Sequence, residues 1–576
     1  VQNSCLIQDA NAGGWWKFDN PLEILSVTRT EDVVPALEYA EKRVNAEGLW
    51  AAGYIGYEAG PAFDPAIQAH TGRGSPLLWM GIFPQPELVQ LPPSNFTNPE
   101  SEYRWQPSVG RADYDDTVAR IHSLISEGDI YQVNYTLQLS RPIGEEPEAL
   151  FLRMVEANRP GHSAWLDCGD FVVCSASPEL FFRLDGEHIS SRPMKGTAKR
   201  GLRREDDIAR ANDLAASDKD RAENVMIVDM VRNDLSRIAH IGSVTVPALF
   251  ALERYPTLWQ MTSTVEARTR APVCDILRAL FPPASITGAP KIRATQIIAE
   301  TENESRGVYT GCIGYIAPGR KAQFNVAIRT AVVDRASGDV EYGVGSGIVR
   351  DSTSHAEYDE CLLKARIVTG TQPSFDLLET LLWEPEAGYY LLDEHLRRLA
   401  DSADYFGMPV DAPSVRRQLD ELVATFPSEA QRVRLLVDRH GKISCESAAL
   451  SIPDRSVRLA IARNPIDDAD RFLYNKTTHR AIYDDARASR PSSDDVILWN
   501  ARGEITETTI ANLVLELDGE KFTPPVECGL LPGVFRARLL ASGEISERRM
   551  RVEDLQRASR IWTINSVRRW REAVLI

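Results

Sequence analysis

Four acidic residues fall into two pairs of equal spacing: Asp220 and Glu223 in "DKDRAENVMIVDM", and Glu357 and Glu360 in "SHAEYDECLLKARIV". At i, i+3 both carboxylates of a pair leave one face of a helix. Two such faces brought together would offer the hard oxygen donors that suit Mg²⁺, which takes one or two carboxylates and completes its shell with water and substrate. Spacing alone leaves solvated helix faces as the alternative, because surface carboxylates are common. Lys195, in "SRPMKGTAKRG", is either a solvated cation or an amine placed for a reaction. As a nucleophile it would need a pKa lowered by desolvation or nearby cations, and Arg192, Lys199, Arg200, Arg203 and Arg204 are its basic neighbours in sequence. "SITGAPKIRATQIIAE" (285–300) reads as a turn opening a helix, with Pro290 suited to the first turn and free N–H groups that can meet an anion. "GVGSGIVRDS" (343–352) is a second Gly-rich turn where backbone can approach a ligand, and either segment could be only a tight turn.

The elements that must position these residues follow from composition and periodicity. At about 150 residues per domain, a chain of 576 residues holds several units, and at least two are expected. Apolar residues at 43% and charged residues at 26% fit a soluble globular protein. A net charge of −17 gives no general attraction to nucleic acid or anionic membrane, so neither is expected as a partner, and an anionic substrate would need local cations or a metal. No run of about 18 apolar residues occurs, and "VQNSCLIQDANAGGWWKFDN" lacks a secretory pattern, so a cytoplasmic enzyme is expected. The eight cysteines are scattered without a C-x-x-C pair or metal spacing and read as buried free thiols. Residues 1–105 read as an elaborated sheet region with Gly- and Pro-rich turns. "DYDDTVARIHSLISEGD" has helical spacing and stops near Gly128, and "IYQVNYTLQLS" then alternates as a strand. "TGTQPSF" (369–375) is a polar break taken as the main boundary. Beyond it come the strand-like "FDLLETLLWE", the helix "LDEHLRRLADSADYFG" and strands near 432–438 and 457–463.

Taken together and in order, "GDIYQVN", "SASPELFFRL", "RPMKGTAKRG", "DRAENVMIVDMVRNDL", "ITGAPK", "FNVAIRT" and "GVGSGIVRDS…AEYDE" resemble the chorismate-utilising enzyme family over roughly residues 10–369. The resemblance implies Mg²⁺ bound by Glu223 and Glu360, with Asp220 and Glu357 as close or water-mediated partners. It implies chorismate as substrate, contacted by Arg329, Tyr309, Thr287, Gly288 and the turn at Gly345 and Gly347, with Glu179 as general acid. Water-adding members carry a lysine where this chain has Gln132, and many relatives carry a histidine where it has Gln260. Anthranilate synthases resemble P-I-A-G-T at the loop that here reads Pro193-Met194-Lys195-Gly196-Thr197, and aminodeoxychorismate synthases resemble P-I-K-G-T. The lysine implies attack at C2 of the ring, loss of the C4 hydroxyl and entry of ammonia at C4. No glutaminase turn is visible, so a glutaminase subunit is the expected ammonia source.

Residues 373–576 resemble the fold-type IV pyridoxal-phosphate enzymes through "DEHLRRL", "FLYNKTTHRAIYDDA", "NARGEITETTIANLVL" and "LLPGVFRARLL". That group holds branched-chain and D-amino acid aminotransferases and aminodeoxychorismate lyase. The resemblance implies that Lys476 bonds pyridoxal 5'-phosphate, Glu507 pairs with its ring nitrogen, and Arg398, Gly533, Val534 and Ser566 hold its phosphate, with Thr380 near the cofactor. The expected architecture is α+β: a chorismate-utilising-enzyme β-sandwich with flanking helices at 1–369, then a two-subdomain fold-type IV domain at 373–576 that could pair as a homodimer. The expected function is conversion of chorismate and ammonia to 4-amino-4-deoxychorismate and its cleavage to 4-aminobenzoate and pyruvate, for folate precursor synthesis. An anthranilate-type synthase joined to an aminotransferase is the alternative.

Overall fold

The computed structural model describes residues 2–72, 74–91, 104–369 and 373–576. The centre of the predicted boundary, 370–372, and the run 92–103 lie outside them. Two compact units emerge: Val1–Lys199 with Ala211–Gln372, and Arg200–Arg210 with Pro373–Ile576.

In the first unit the described residues form two ten-stranded sheets. Strand alternation gives each sheet two apolar faces. Ile7, Phe18, Leu166 and Val173 of one sheet and Tyr54, Trp79, Phe83 and Tyr315 of the other make one buried cluster, so the sheets pack face to face. Helices cover the outer faces: Val33, Leu37, Ala40 and Val44 of Thr30–Glu47 join the larger cluster with Ala51, Ile55, Met80 and Ile82. The expected sandwich with flanking helices is therefore present. The helix predicted to stop near Gly128 spans Arg111–Glu127 and ends on Gly128 at φ 84°, the left-handed cap that glycine accepts without strain. The strand predicted after it is Gln132–Pro142, and it pairs antiparallel with Asp339–Ile348, which carries the second Gly-rich turn.

The second unit holds a four-stranded and an eight-stranded sheet, giving the two-subdomain α+β architecture that was expected. The strand Leu377–Glu384 pairs with Gln431–Val437. Leu377, Leu381, Val433, Leu435 and Val437 of that pair bury one face against the helix Leu392–Phe406. The eight cysteines are free, and all but the partly exposed Cys445 are buried. No helix among the described residues is long and apolar enough to cross a membrane.

Candidate active sites

A cavity of about 330 Å³ in the first unit is lined by Lys195, Glu179 and all four paired acids. Lys195 reaches it through a bulge. Its strand pairs with Leu258–Arg268 as Met194↔Thr262 and then Thr197↔Gln260, so three steps on one strand face two on the other. Such an extra residue bends the strand and re-aims a side chain. Gly196 takes the left-handed φ of 93° that the bend requires. The loop is braced from behind: Gln260 Nε2 donates to the Gly196 carbonyl at 2.8 Å, Thr197 Oγ1 donates to Gln260 Oε1 at 3.2 Å, and Asn224 Nδ2 donates to the Lys195 carbonyl at 3.2 Å. Gln260 is thus a loop support where relatives were expected to carry a histidine.

Burial lowers the Lys195 pKa, the carboxylates of Glu223 and Glu360 oppose that shift, and the ammonium of Lys364 adds to it. The basic residues adjacent in sequence are occupied elsewhere: Arg192 pairs with Glu253, Arg200 with Asp207 at 2.7 Å and Arg203 with Asp206 at 2.9 Å. The cation that faces Lys195 is Lys364, a residue that sequence reasoning missed. Its i, i+4 spacing from Glu360 was the available signal, and the two form an ion pair at 2.6 Å while Lys364 also donates to the Gly345 carbonyl at 2.9 Å.

Glu179 is buried, and burial holds its carboxyl up at about 7 against a 2.6 Å hydrogen bond from Ser285 Oγ to Oε1. A group with that pKa is half protonated near neutrality and can donate a proton. The Ser285 bond favours the charged form. Ser285→Ala therefore raises the Glu179 pKa, and the alkaline limb of turnover in this cavity moves upward by about 0.5–1 pH unit. A pH–rate profile of the variant checks this; a downward shift would contradict the assignment.

Asp220 and Glu357 sit in the first turns of two helices, and Glu223 and Glu360 one turn further in. Ser217 caps Asp218–Ser236 by accepting from Asp220 N at 3.2 Å, and Glu357 lies in the first turn of Ser354–Thr369. Helix N-termini favour negative charge. The four acids share the cavity but are not drawn into a ligand cluster: no three His, Cys, Asp or Glu side chains among the described residues are gathered closely enough to hold a metal. Glu360 leans to Lys364, and Glu223 lies 4.0 Å from Lys219. Burial raises the Glu223 pKa, with the charges of Asp220 and Glu357 adding to it. Acids crowded in this way gain from a divalent cation, and Mg²⁺ asks the protein for only one or two direct carboxylates. The donor set fits that ion.

Arg329, Tyr309, Gly345 and Gly347 also line the cavity. Arg329 Nη1 donates to Asn158 Oδ1, and its guanidinium lies 5.6 Å from the Tyr255 ring centroid. Thr287 and Gly288 do not reach the cavity wall. The Thr287 hydroxyl turns back to the Pro283 carbonyl at 3.2 Å, Gly288 pairs with Val133, and Ser285 and Ile286 face the cavity in their place.

A Cβ on Gly347 would lie 2.8 Å from Lys195 Nζ and 2.3 Å from Gln132 Nε2, so any side chain there would push these two groups aside. Gln132 is 1% exposed, and neither polar atom of its amide has a hydrogen-bond partner. A buried amide without protein partners costs stability. Gln132→Leu is expected to stabilise the unit by on the order of 1 kcal/mol, because it removes that unpartnered amide. Thermal unfolding checks this; a lower melting temperature would contradict it.

A second cavity, of about 530 Å³, lies in the second unit and is lined by Lys476, Glu507, Arg398, Gly533, Val534 and Ser566, so every residue expected at the cofactor faces one space. The Lys476 segment is docked on a strand start: Leu378 N donates to the Lys476 carbonyl at 3.0 Å, and Asp376 N donates to Thr478 Oγ1 at 2.9 Å. Burial, with Arg398 adding to it, brings the Lys476 amine down to about 8. Glu507 is held by Tyr483 Oη at 2.8 Å, Leu531 N at 3.1 Å and Asn512 Nδ2 at 3.2 Å, and burial lifts its carboxyl to about 7. The Arg398 guanidinium is fixed by Glu379 through bonds of 2.9 and 2.6 Å, and Glu379 also meets His395 Nδ1 at 2.7 Å. Burial alone would raise the Glu379 pKa; Arg398 and His395 override it and hold it at about 2. An amine with lowered pKa, a held carboxyl and a cation beside the N-terminus of Val534–Ala541 fit pyridoxal phosphate by donor chemistry. Tyr483, Asn512 and Glu379 were missed in the sequence.

Residues 3–370 match the family described as chorismate binding enzyme, and residues 376–576 match amino-transferase class IV. Aminodeoxychorismate synthase component 1 of Salmonella typhimurium is 41% identical over 258 residues, covering 44% of this chain and 56% of that protein. Anthranilate synthase component 1 of Thermus thermophilus is 39% identical over 266 residues, covering 46% of this chain and 57% of that protein. The chain thus spans little more than half the length of these relatives. The crystal structure of anthranilate synthase component I from Streptococcus pneumoniae TIGR4, 23% identical with a TM-score of 0.54, covers 64% of this chain and 93% of that one, and shows the fold. With its first cavity built inside residues 3–370, the chain belongs to the chorismate binding enzyme family and carries a class IV aminotransferase domain behind it.

Proposed function

We propose that the first unit converts chorismate and ammonia to 4-amino-4-deoxychorismate and that the second cleaves this compound to 4-aminobenzoate and pyruvate, a folate precursor route in one chain. The observation that carries the reading is Lys195 Nζ aimed into a cavity beside Glu179 and the acid pairs, at the loop position where anthranilate synthases resemble an alanine. The similarity to both kinds of relative, 41% and 39%, is too even to choose the product.

In the first cavity Mg²⁺, held by Glu223 and Glu360, would supply positive charge for a carboxylate of the substrate. Arg329 and Tyr309 stand ready for the other carboxylate. Lys195, whose amine is shifted toward the neutral form by burial and by Lys364, bonds to C2 as both ring double bonds shift and the C4 hydroxyl departs. Glu179 supplies the proton that makes the leaving group water. Ammonia then bonds to C4, the double bonds shift back, and the lysine amine is released. A separate glutaminase subunit is the proposed ammonia source.

In the second cavity pyridoxal phosphate, when bound, supplies an electron sink. Lys476 Nζ takes the C4 proton of the substrate and returns a proton to the methylene carbon of the departing enolpyruvyl group, which leaves as pyruvate. Arg398 and Ser566 would hold the cofactor's phosphate, and Glu507, fixed by Tyr483 and Asn512, would pair with its ring nitrogen. Aromatisation drives the cleavage. A cofactor-independent structural role for the second unit is disfavoured by the arrangement of Lys476, Glu507 and Arg398 around one space.

The two half-reactions test this separately. Cofactor-free chain with chorismate, ammonium and Mg²⁺ should form 4-amino-4-deoxychorismate, and cofactor-loaded chain given that compound should release pyruvate. Formation of 2-aminobenzoate in the first assay would overturn the reading.

A further inference from the structure

The strand Gln431–Val437 divides its side chains by alternation. Val433, Leu435 and Val437 are fully buried in the core, while Arg432 and Arg434 point to the other face. That face is open to solvent: Arg432 and Arg434 are exposed, and with Leu378 and Thr380 of the paired strand they line the open side of the second cavity, in the register Thr380↔Arg434 and Leu382↔Arg432. Arg568, just beyond the strand Arg560–Asn565, enters the same space.

None of these three arginines has an ion-pair partner among the described residues. Glu446 lies opposite Arg434 on the next strand and pairs with neither Arg432 nor Arg434. Burial lowers the Arg568 pKa, and the charges of Arg432 and Arg571 lower it further. The acid nearest to relieving it, Asp495, is already engaged by Thr509 Oγ1 at 2.5 Å and by the backbone N–H groups of Val496 at 2.8 Å and Thr509 at 3.1 Å. Glu507 is the only acid among the lining residues, against six arginines and one lysine, and its carboxyl is lifted to about 7 and held by three donors. Arg398, fixed by Glu379, suits one phosphate. The remaining positive charge calls for more anion than a cofactor phosphate brings. Guanidinium groups are well matched to carboxylates by their planar donor fork.

We infer that Arg432, Arg434 and Arg568 form a carboxylate-recognition site that selects dicarboxylate substrates over monocarboxylate amines in the second unit. This rests on the cleavage reading above, whose intermediate carries a ring carboxylate and an enolpyruvyl carboxylate. A monocarboxylate amino acid, the ordinary substrate of an aminotransferase, would leave part of the cluster unpaired, so the same arginines disfavour it.

The test uses the full chain loaded with pyridoxal phosphate and reads the absorbance of that cofactor, which reports on the second cavity alone. The probes are 3-(1-carboxyvinyloxy)benzoate, a stable aromatic dicarboxylate with the same two acid groups, and benzoate. The wild type is expected to bind the dicarboxylate at least tenfold more tightly than benzoate. Arg432→Gln/Arg434→Gln and, separately, Arg568→Gln are expected to weaken dicarboxylate binding tenfold or more, to change benzoate binding less than threefold, and to leave the cofactor dissociation constant within twofold. Equal effects on both probes, no effect on either, or parallel loss of cofactor affinity would overturn the site. Steady-state cleavage separates this from the parent reading. A raised KM for 4-amino-4-deoxychorismate in the variants supports both. Pyruvate release with unaltered KM sinks the arginine site and leaves the cleavage reading standing. A wild type that releases no pyruvate, while its dicarboxylate preference persists and is lost in the variants, sinks the cleavage reading and leaves the site standing.

Discussion

Lys195→Ala is expected to lower formation of 4-amino-4-deoxychorismate from chorismate and ammonium by about 10³-fold or more, the scale on which removal of a covalent nucleophile is felt. Stability should change little. Among the described residues the side chain has no hydrogen bond, and its loop is held from behind through backbone carbonyls by Gln260 and Asn224. Truncation removes a poorly solvated amine from a cavity rather than a packing contact from a core. The second unit should be untouched, so the variant still releases pyruvate when it is given 4-amino-4-deoxychorismate directly. Chromatography of both half-reactions checks the expectation. Undiminished synthesis in the variant would show that the amine is not bonded to the ring during turnover.

The complementary variant has the opposite signature. Lys476→Ala is expected to leave chorismate consumption near the wild-type rate and to cut pyruvate release by about 10³-fold or more, so that 4-amino-4-deoxychorismate accumulates. The reason is local: Lys476 is the group proposed to carry the C4 proton in the second cavity, and its amine, brought to about 8, can exchange a proton near neutrality. Because Lys195 and Lys476 belong to separate compact units, the two losses should not compound. Mixing the two variants should restore 4-aminobenzoate by passage of the intermediate through solvent. A Lys476→Ala chain that still releases pyruvate at the wild-type rate would remove the proton-carrying role.

How far the sequence could be read depended on the range of the interaction. Local signals served well: the 3.6-residue apolar spacing and Gly128 located the helix Arg111–Glu127 and its end, and the i, i+3 acids lie on helices that line one cavity. Long-range pairings were hidden. The basic neighbours of Lys195 in sequence are engaged by acids such as Asp207 and Glu253, whereas Lys364, 169 positions away in the chain, is the cation that adds to the effect of burial in lowering its pKa. A slip of one or two residues in a turn was also invisible: the motif pointed to Thr287 and Gly288, while backbone hydrogen bonding turns Ser285 and Ile286 to the cavity. Likewise nothing local assigned Arg200–Arg210 to the same compact unit as Pro373–Ile576. Gln132 stands out in the sequence by residue type, but its unpartnered amide beside Gly347 is set by the fold. Arg432 and Arg434 were legible as alternating positions on a strand, yet which face meets the second cavity is decided by the register with Leu377–Glu384.

One measurement bears most directly on the claim that this chain makes 4-amino-4-deoxychorismate and then cleaves it. The intact chain, loaded with pyridoxal phosphate, is supplied with chorismate, Mg²⁺ and ¹⁵N-ammonium, and its products are identified and counted by mass spectrometry. The expected result is ¹⁵N-labelled 4-aminobenzoate and pyruvate, each equal to the chorismate consumed. Labelled 2-aminobenzoate would contradict the role given to Lys195, and labelled 4-amino-4-deoxychorismate persisting without equal pyruvate would contradict the role given to Lys476.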